Sequence, residues 1–256
     1  MESVNFNRAA DYYDATRGFP DGVAPQIGQF IAESASLSTN DNLLEIGIGT
    51  GRISLPLVSY VNMIAGVDIS LEMMKVLLTK RDSRHVLPVL ADGHELPYTS
   101  DCFDAVLIVH VLHLVPEPVK ILNDVKRVLK PGGHLLHGFT ASNTDDDNPV
   151  VKAWMSNRPP RKTGNNWKQS AKAIDSSGWV LEDQSTFNYH YDDTPQTILD
   201  AVENKVWSSM WGTTDEEIAP AVAAITKAVN EHYKGDFQAE MQRKSGFTLQ
   251  ILKAPA

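Results

Sequence analysis

The stretch LLEIGIGTGR, residues 43–52, packs four apolar residues, one acid and three glycines into ten positions. Its first half reads as a buried strand. Gly47, Gly49 and Gly51 then read as a turn whose backbone comes close to a ligand, with no Cβ in the way. The ligand that such a strand end suits decides how the chain is understood.

Outward from this stretch, apolar runs alternate with helical ones. A helix is expected at about 51–60, then the strand MIAGVDI. LEMMKVLLTKR follows, with Leu71, Met74, Leu77 and Leu78 at helical spacing. HVLPVLA and FDAVLIVHV read as two more strands. PVKILNDVKRVLK reads as a helix stopped by Pro131, Gly132 and Gly133, and HLLHGF as a fifth strand. This alternation predicts a doubly wound α/β fold on a parallel sheet covered on both faces. Beyond residue 141 the pattern loosens. KQSAKAIDSSG reads as a helix and WVLEDQSTFNYHY as a strand. Thr194 to about Lys234 reads as helical, and GFTLQILKA as a final strand. The expectation is a single domain over 1–256, with segments 142–167 and 194–236 inserted as a cap on the acceptor side.

Composition narrows the function classes. The chain has 256 residues, 42% hydrophobic and 21% charged, with a net charge of −9. That sign disfavours extended contact with nucleic acid or anionic lipid. The single cysteine, Cys102, excludes an internal disulfide and a CxxC zinc pattern. No metal is expected. The opening MESVNFNRAADYYDATRG has no apolar signal core and no run approaches a membrane span, so a cytoplasmic location is expected.

In open α/β sheets, ligands bind at the carboxyl ends of strands where the strand order reverses. The dinucleotide fingerprint there is G-x-G-x-x-G, and its third glycine falls on Arg52. The loop runs G-x-G-x-G instead, with Glu45 in front. Asp68 ends the second strand, where a carboxylate accepts from both hydroxyls of an unphosphorylated ribose. Asp92 ends the third strand. Acids on adjacent strand ends suit a ligand with a ribose, an adenine amino group and positive charge but no phosphate. S-adenosylmethionine is such a ligand.

LLEIGIGTGR, AGVDIS, ADGHELPYTSDCFDAVLIVHVLHLV and VLKPGGHLL, in this order, resemble the successive motifs of class I S-adenosylmethionine-dependent methyltransferases. The likeness is closest to the small-molecule group that includes the ubiquinone and menaquinone biosynthesis enzymes, and it covers about residues 5–140. The resemblance implies a Rossmann-like seven-stranded sheet with an antiparallel last strand, and S-adenosylhomocysteine as product. It puts Gly47, Gly49 and Gly51 against the methionine part, with Glu45 near its amino group. Asp68 would hold the ribose, with Ile69 and Met73 against the adenine. Asp92 would take the adenine amino group, with Gly93 and His94 nearby. Val109 and His110 would border the methionine part. Tyr13 and Arg17, in FNRAADYYDATRG, would contact its carboxylate.

Methyl transfer is an in-line displacement whose activated methyl the cofactor supplies. A general base is needed only if the acceptor has a proton to lose. His110 and His113 are the candidates, then Tyr12 or Tyr13. The fourth strand is followed by VHVLHL, not the Asn/Asp-Pro-Pro-aromatic turn of enzymes that methylate adenine or glutamine nitrogens. A small, partly apolar acceptor is therefore expected. Trp154, Met155, Trp167, Trp207, Met210 and Trp211 offer apolar surface for it, the Trp207–Trp211 pair on one helix face. The alternatives are an NAD(P)-dependent oxidoreductase and a non-catalytic cofactor-binding protein. A homodimer is left open.

Overall fold

A computed structural model describes residues 3–81, 85–141, 147–162 and 167–255. The chain divides into two compact units: Met1–Thr140 with Asn165–Phe187 and Phe247–Ala256, and Ala141–Gly164 with Asn188–Gly246.

The first unit opens with α1 (Tyr13–Arg17) and α2 (Val23–Ser34), followed by β1 (Asn42–Ile46) and α3 (Ser54–Leu57). Next come β2 (Met63–Asp68), α4 (Leu71–Lys80), β3 (Val86–Leu90) and β4 (Phe103–Val109). Then follow α5 (Pro118–Val128), β5 (Leu129–Ala141) and α7 (Trp167–Ser176), the last numbered after α6 (Pro149–Ser156) of the second unit. Two long strands, β6 (Val180–Asp193) and β7 (Met241–Lys253), cross the boundary between the units in sequence. The seven strands form one sheet in the order β3-β2-β1-β4-β5-β7-β6. β3, β2, β1, β4 and β5 pair in parallel, and the sheet ends in antiparallel last strands.

β1 and β4 are buried along nearly their whole length, as parallel strands covered on both faces must be. Pro118 starts α5 at a position that needs no backbone N–H. Ile121, Leu122, Val125 and Val128 follow at helical spacing and join Leu44, Ile46, Val106, Ile108 and Ile174 in one core. Leu43 and Leu107, one position along their strands, point to the opposite face. α2 and α3 pack so closely on each other that a Cβ on Gly28 would lie 2.3 Å from the Pro56 carbonyl oxygen.

From residue 43 through 141 the expected order of strands and helices holds, with two local differences; the helix α2 ahead of it was not expected. The helix expected at 51–60 is only α3 plus a 3-10 turn at Val58–Tyr60. The helix before Pro131 ends at Val128, and Pro131, Gly132 and Gly133 lie in a register shift of β5 against β4. Gly132 takes a left-handed φ of 85° there.

The second unit holds α6, α8 (Pro195–Glu203) and α9 (Asp215–Tyr233). Its core joins Val150, Trp154, Leu199, Val202, Ile225 and Val229. The side chain of Asn148 caps α6 by accepting the Val150 N–H at 2.9 Å. Thr214 and Glu217 form a reciprocal capping box on α9. Trp207 and Trp211 do not share a helix face. They flank a single 3-10 turn, Ser208–Met210, and Trp207 instead stacks on Trp154 at 5.2 Å between ring centres. Of the expected cap segments, residues 142–146 and 163–166 and the Trp167 side chain lie outside the described residues. Among the described residues, no helix is long and apolar enough to cross a membrane, and no group of His, Cys, Asp and Glu is placed to hold a metal.

Candidate functional site

The sheet order reverses between β1 and β4: β2 and β3 lie to one side of β1, and β4 and β5 to the other. The loop that leaves β1 at this point is the glycine stretch. Gly47, Gly49 and Gly51 all have left-handed φ values, of 79°, 51° and 78°. A side chain at Gly49 would be strained, and its Cβ would press on Met73 Cε at 3.3 Å. The N–H groups of Gly47 and Ile48 donate to the Val67 carbonyl, at 2.8 and 3.2 Å, which ties the loop to β2.

Glu45, only 2% exposed, lies just below this loop. The Ser54 hydroxyl donates to its Oε2. Burial pushes its carboxyl up to about 8, against the Ser54 bond and the nearby charge of Arg52. Glu45 is thus largely protonated at neutral pH in the absence of a further cation. Asp68, at the end of β2, accepts the Gly49 N–H on Oδ2 and the Ser70 N–H on Oδ1, both at 2.8 Å. Burial raises this carboxyl, and those N–H donors hold it back. Each oxygen keeps a lone pair for another donor. Ser70 caps α4 by accepting the Met73 N–H, and its hydroxyl donates to Asn7 Oδ1 at 2.7 Å. The side chain of Asn5 reaches the Ile69 carbonyl at 3.3 Å.

Asp92 stands two residues beyond β3. The backbone and ring N–H groups of His94 both donate to its Oδ1, at 2.9 and 2.6 Å. Burial alone would raise Asp92, but those two donors outweigh it and hold the carboxyl below its ordinary value. The other ring nitrogen of His94, Nε2, is buried without a hydrogen-bond partner in the protein. Gly93 is pressed against Ile46, whose Cγ2 would lie 2.9 Å from an added Cβ.

At the end of β4, Val109 is buried and His110 turns the chain with φ 56°. His110 Nε2 accepts the Thr140 N–H at 3.1 Å, so its proton is on Nδ1. Burial, and then the charges of Arg52, His113 and Arg17, keep this ring neutral well below its ordinary range. The His113 ring stands edge-on to it, 6.3 Å between centres.

The N-terminal segment lies across these strand ends. Asp14 accepts the Thr50 hydroxyl at 2.6 Å and the Lys80 ammonium at 2.7 Å. Tyr13 packs edge-on against Phe6. Arg17 is partly buried, and burial lowers its guanidinium.

Two groups of the expected residues therefore come together: Glu45, the glycines, Asp68 and Met73 around the β1 loop, and Arg17, His110 and His113 beside β4. Asp92 and His94 form a pair of their own, with no described hydrogen bond to either group. The sequence reading passed over Ser54, Asn5, Asn7 and Asp14. It expected Arg52 to face solvent or pair with an acid, whereas the guanidinium is partly buried against Phe19 and the Arg17 carbonyl. Only Ser70 carried a signal, as a serine just ahead of an apolar helical run.

A strand-end glycine loop at the reversal point, with acids on adjacent strands of a Rossmann-like sheet, is the kind of place where a nucleoside-type cofactor binds. Residues 44–137 match the family described as methyltransferase domain, and the sheet has the Rossmann-like fold of solved methyltransferases. S-adenosylmethionine is the cofactor of that family. Among similar proteins, the phosphatidylethanolamine N-methyltransferase of Cereibacter sphaeroides is 34% identical over 98 residues, 37% of this chain and 48% of that protein. The demethylmenaquinone methyltransferase of Renibacterium salmoninarum is 31% identical over 132 residues, 51% of this chain and 55% of that protein. The chain thus spans about half the length of the curated relatives it matches. Of solved structures, an N-methyltransferase of Haemonchus contortus, in complex with phosphomonomethylethanolamine and S-adenosylhomocysteine, superposes with a TM-score of 0.56. It is 19% identical, and the match covers 98% of this chain and 58% of that one.

Proposed function

We propose that this chain transfers a methyl group from S-adenosylmethionine to a small, partly apolar acceptor. The observation that carries the reading is Glu45, a buried acid left largely protonated beneath a left-handed glycine loop. A cation placed beside it would draw that carboxyl into its charged form, and the cofactor supplies an ammonium and a sulfonium. Asp68 takes the ribose hydroxyls on its remaining lone pairs, with Ile69 and Met73 beside the adenine. Asp92 accepts from the adenine amino group on Oδ2, which His94 leaves free, and Gly93 and His94 line that end. Tyr13 and Arg17 meet the cofactor's carboxylate, while Gly47, Gly51, Val109 and His110 border its methionine part.

When bound, the cofactor supplies the activated methyl, and the protein aligns the acceptor with the methyl–sulfur bond. Alignment of this kind is worth about 7–11 kcal/mol in well-oriented systems. His110 commits Nε2 to the Thr140 N–H and carries its proton on Nδ1, so it orients groups rather than removing protons. Where the acceptor has a proton to lose, His113 is the base, with Tyr13 the second candidate. The second unit, which contains none of the cofactor motifs, governs the choice of acceptor.

Calorimetric titration tests the reading. S-adenosylhomocysteine is expected to bind and NADH is not. Asp68→Ala is expected to lower the former affinity by about 1.5–3 kcal/mol, the value of a lost charge-assisted contact. Tight NADH binding without a response to S-adenosylhomocysteine, or unchanged affinity in a folded Asp68→Ala, would refute it.

A further inference from the structure

Arg52 stands where a dinucleotide loop has its third glycine, and the cofactor roles above make no use of it. Its guanidinium is nonetheless held in place. Nη1 donates to the Arg17 carbonyl at 2.9 Å, and the guanidinium carbon lies 4.8 Å from the centre of the Phe19 ring. A guanidinium offers five N–H donors in a rigid fork matched to an oxyanion. Among the described residues no carboxylate pairs with this one. The acids nearby are already engaged: Asp14 with Thr50 and Lys80, Asp68 with two backbone N–H groups, and Glu45 with Ser54. The Arg17 side chain has no described hydrogen bond or ion pair either. The charges of both arginines reach His110, which stays neutral beside them.

Two partly buried guanidiniums in one neighbourhood, neither paired with an anion, raise each other's free energy until a negative charge arrives. The cofactor of the proposed reaction brings one carboxylate, for Arg17. We propose that Arg52 is the anchor for an oxyanion, a carboxylate or a phosphate, carried by the methyl acceptor. The acceptor is then an anionic small molecule with an apolar part, and Arg52 determines specificity by fixing its charged end next to the β4 turn. This inference rests on the methyltransferase reading.

The test uses the full chain saturated with S-adenosylhomocysteine, so that Arg17 is already occupied. Hexanoate, benzoate and hexyl phosphate are titrated by calorimetry beside their neutral counterparts hexanamide, benzamide and hexanol. At least one anion is expected to bind tenfold or more tightly than its neutral counterpart, and which one separates carboxylate from phosphate. Arg52→Gln keeps an N–H for the Arg17 carbonyl but removes the charge. It is expected to lose that tenfold preference while S-adenosylhomocysteine affinity stays within twofold, and Arg52→Lys to recover part of it. Arg17→Gln is expected to do the reverse, weakening S-adenosylhomocysteine. The proposal is overturned if no anion is preferred, or if Arg52→Gln weakens S-adenosylhomocysteine as much as Arg17→Gln does. Should Arg52→Gln fail to fold, the anion–amide comparison on the unaltered chain decides. A chain that does not bind S-adenosylhomocysteine at all overturns the methyltransferase reading instead, and that result is visible before any anion is added.

Discussion

Glu45 has one partner, the Ser54 hydroxyl, and a carboxyl pushed up to about 8 by burial. The ordinary value is 4.5, so between those limits the folded chain holds a proton that the unfolded chain releases. Stability contributed by this group is complete below pH 4.5 and is lost as pH rises through 8. Buried His110 and His137, held below 6.5, act in the opposite sense only under that pH. Between about 6.5 and 8 the contribution of Glu45 is therefore the clearer one. The ligand-free chain is expected to melt at progressively lower temperature across that interval, and Glu45→Gln to flatten the slope. Thermal denaturation over a pH series measures this, and an equal slope in the variant would remove Glu45 as the cause. None of this was legible from the letter E in LLEIGIG. The sequence placed an acid beneath the loop, whereas its protonation depends on Ser54, nine residues away, and on how completely the core closes over it.

Gly66 lies in the middle of β2, where a glycine weakens a strand unless something crosses it closely. Ile48, from the glycine loop, does so. A Cβ on Gly66 would lie 2.2 Å from Ile48 Cδ1 and 2.7 Å from Ile48 Cβ. Ile48 in turn packs with Met74, Leu77 and Val86. Gly66→Ala is expected to cost about 1–3 kcal/mol by overpacking, seen as a lower urea midpoint at unchanged slope. Pairing it with Ile48→Ala is expected to return part of the loss, and strictly additive effects would break the link. The five parallel strands and their helices were legible because long apolar runs and helical spacing both survive in the sequence. What was not legible depended on neighbours in space. α6 follows Asn148-Pro149, a cap signal in the stretch beyond residue 141 where the sequence pattern loosens. The spacing of Trp207 and Trp211 fits a helix, but Trp207 turns out of it to stack on Trp154. Asp68 read correctly as a strand-end acid, while its two backbone partners come from the left-handed loop and the start of α4.

Every cofactor motif lies in the first unit, and the second has its own core built on α6, α8 and α9. This division underlies the proposed separation of tasks. Trp154 is buried under Arg158 and against Trp207, so its removal would open a cavity. Trp207 is the more exposed of the stacked pair. Trp207→Ala is expected to lower kcat/KM for the true acceptor several-fold while S-adenosylhomocysteine affinity stays within twofold. Steady-state kinetics beside calorimetry reads both. If cofactor affinity falls and acceptor kinetics stay at wild-type values, the assignment of acceptor choice to this unit is wrong.

The position of β7 bears on how the chain emerges from the ribosome. In the sheet β7 lies between β5 and β6, yet it is made after both, with residues 194–240 intervening. β6 is therefore synthesised with no neighbour to join, because its partner in the sheet has not been translated. Pairing across such a gap closes a long loop and is slow. Phe247, Leu249 and Leu252, all buried, arrive only with that strand. A nascent chain halted before Met241 would hold no more of the sheet than β3-β2-β1-β4-β5, with the Val180–Asp193 segment waiting unpaired for its template.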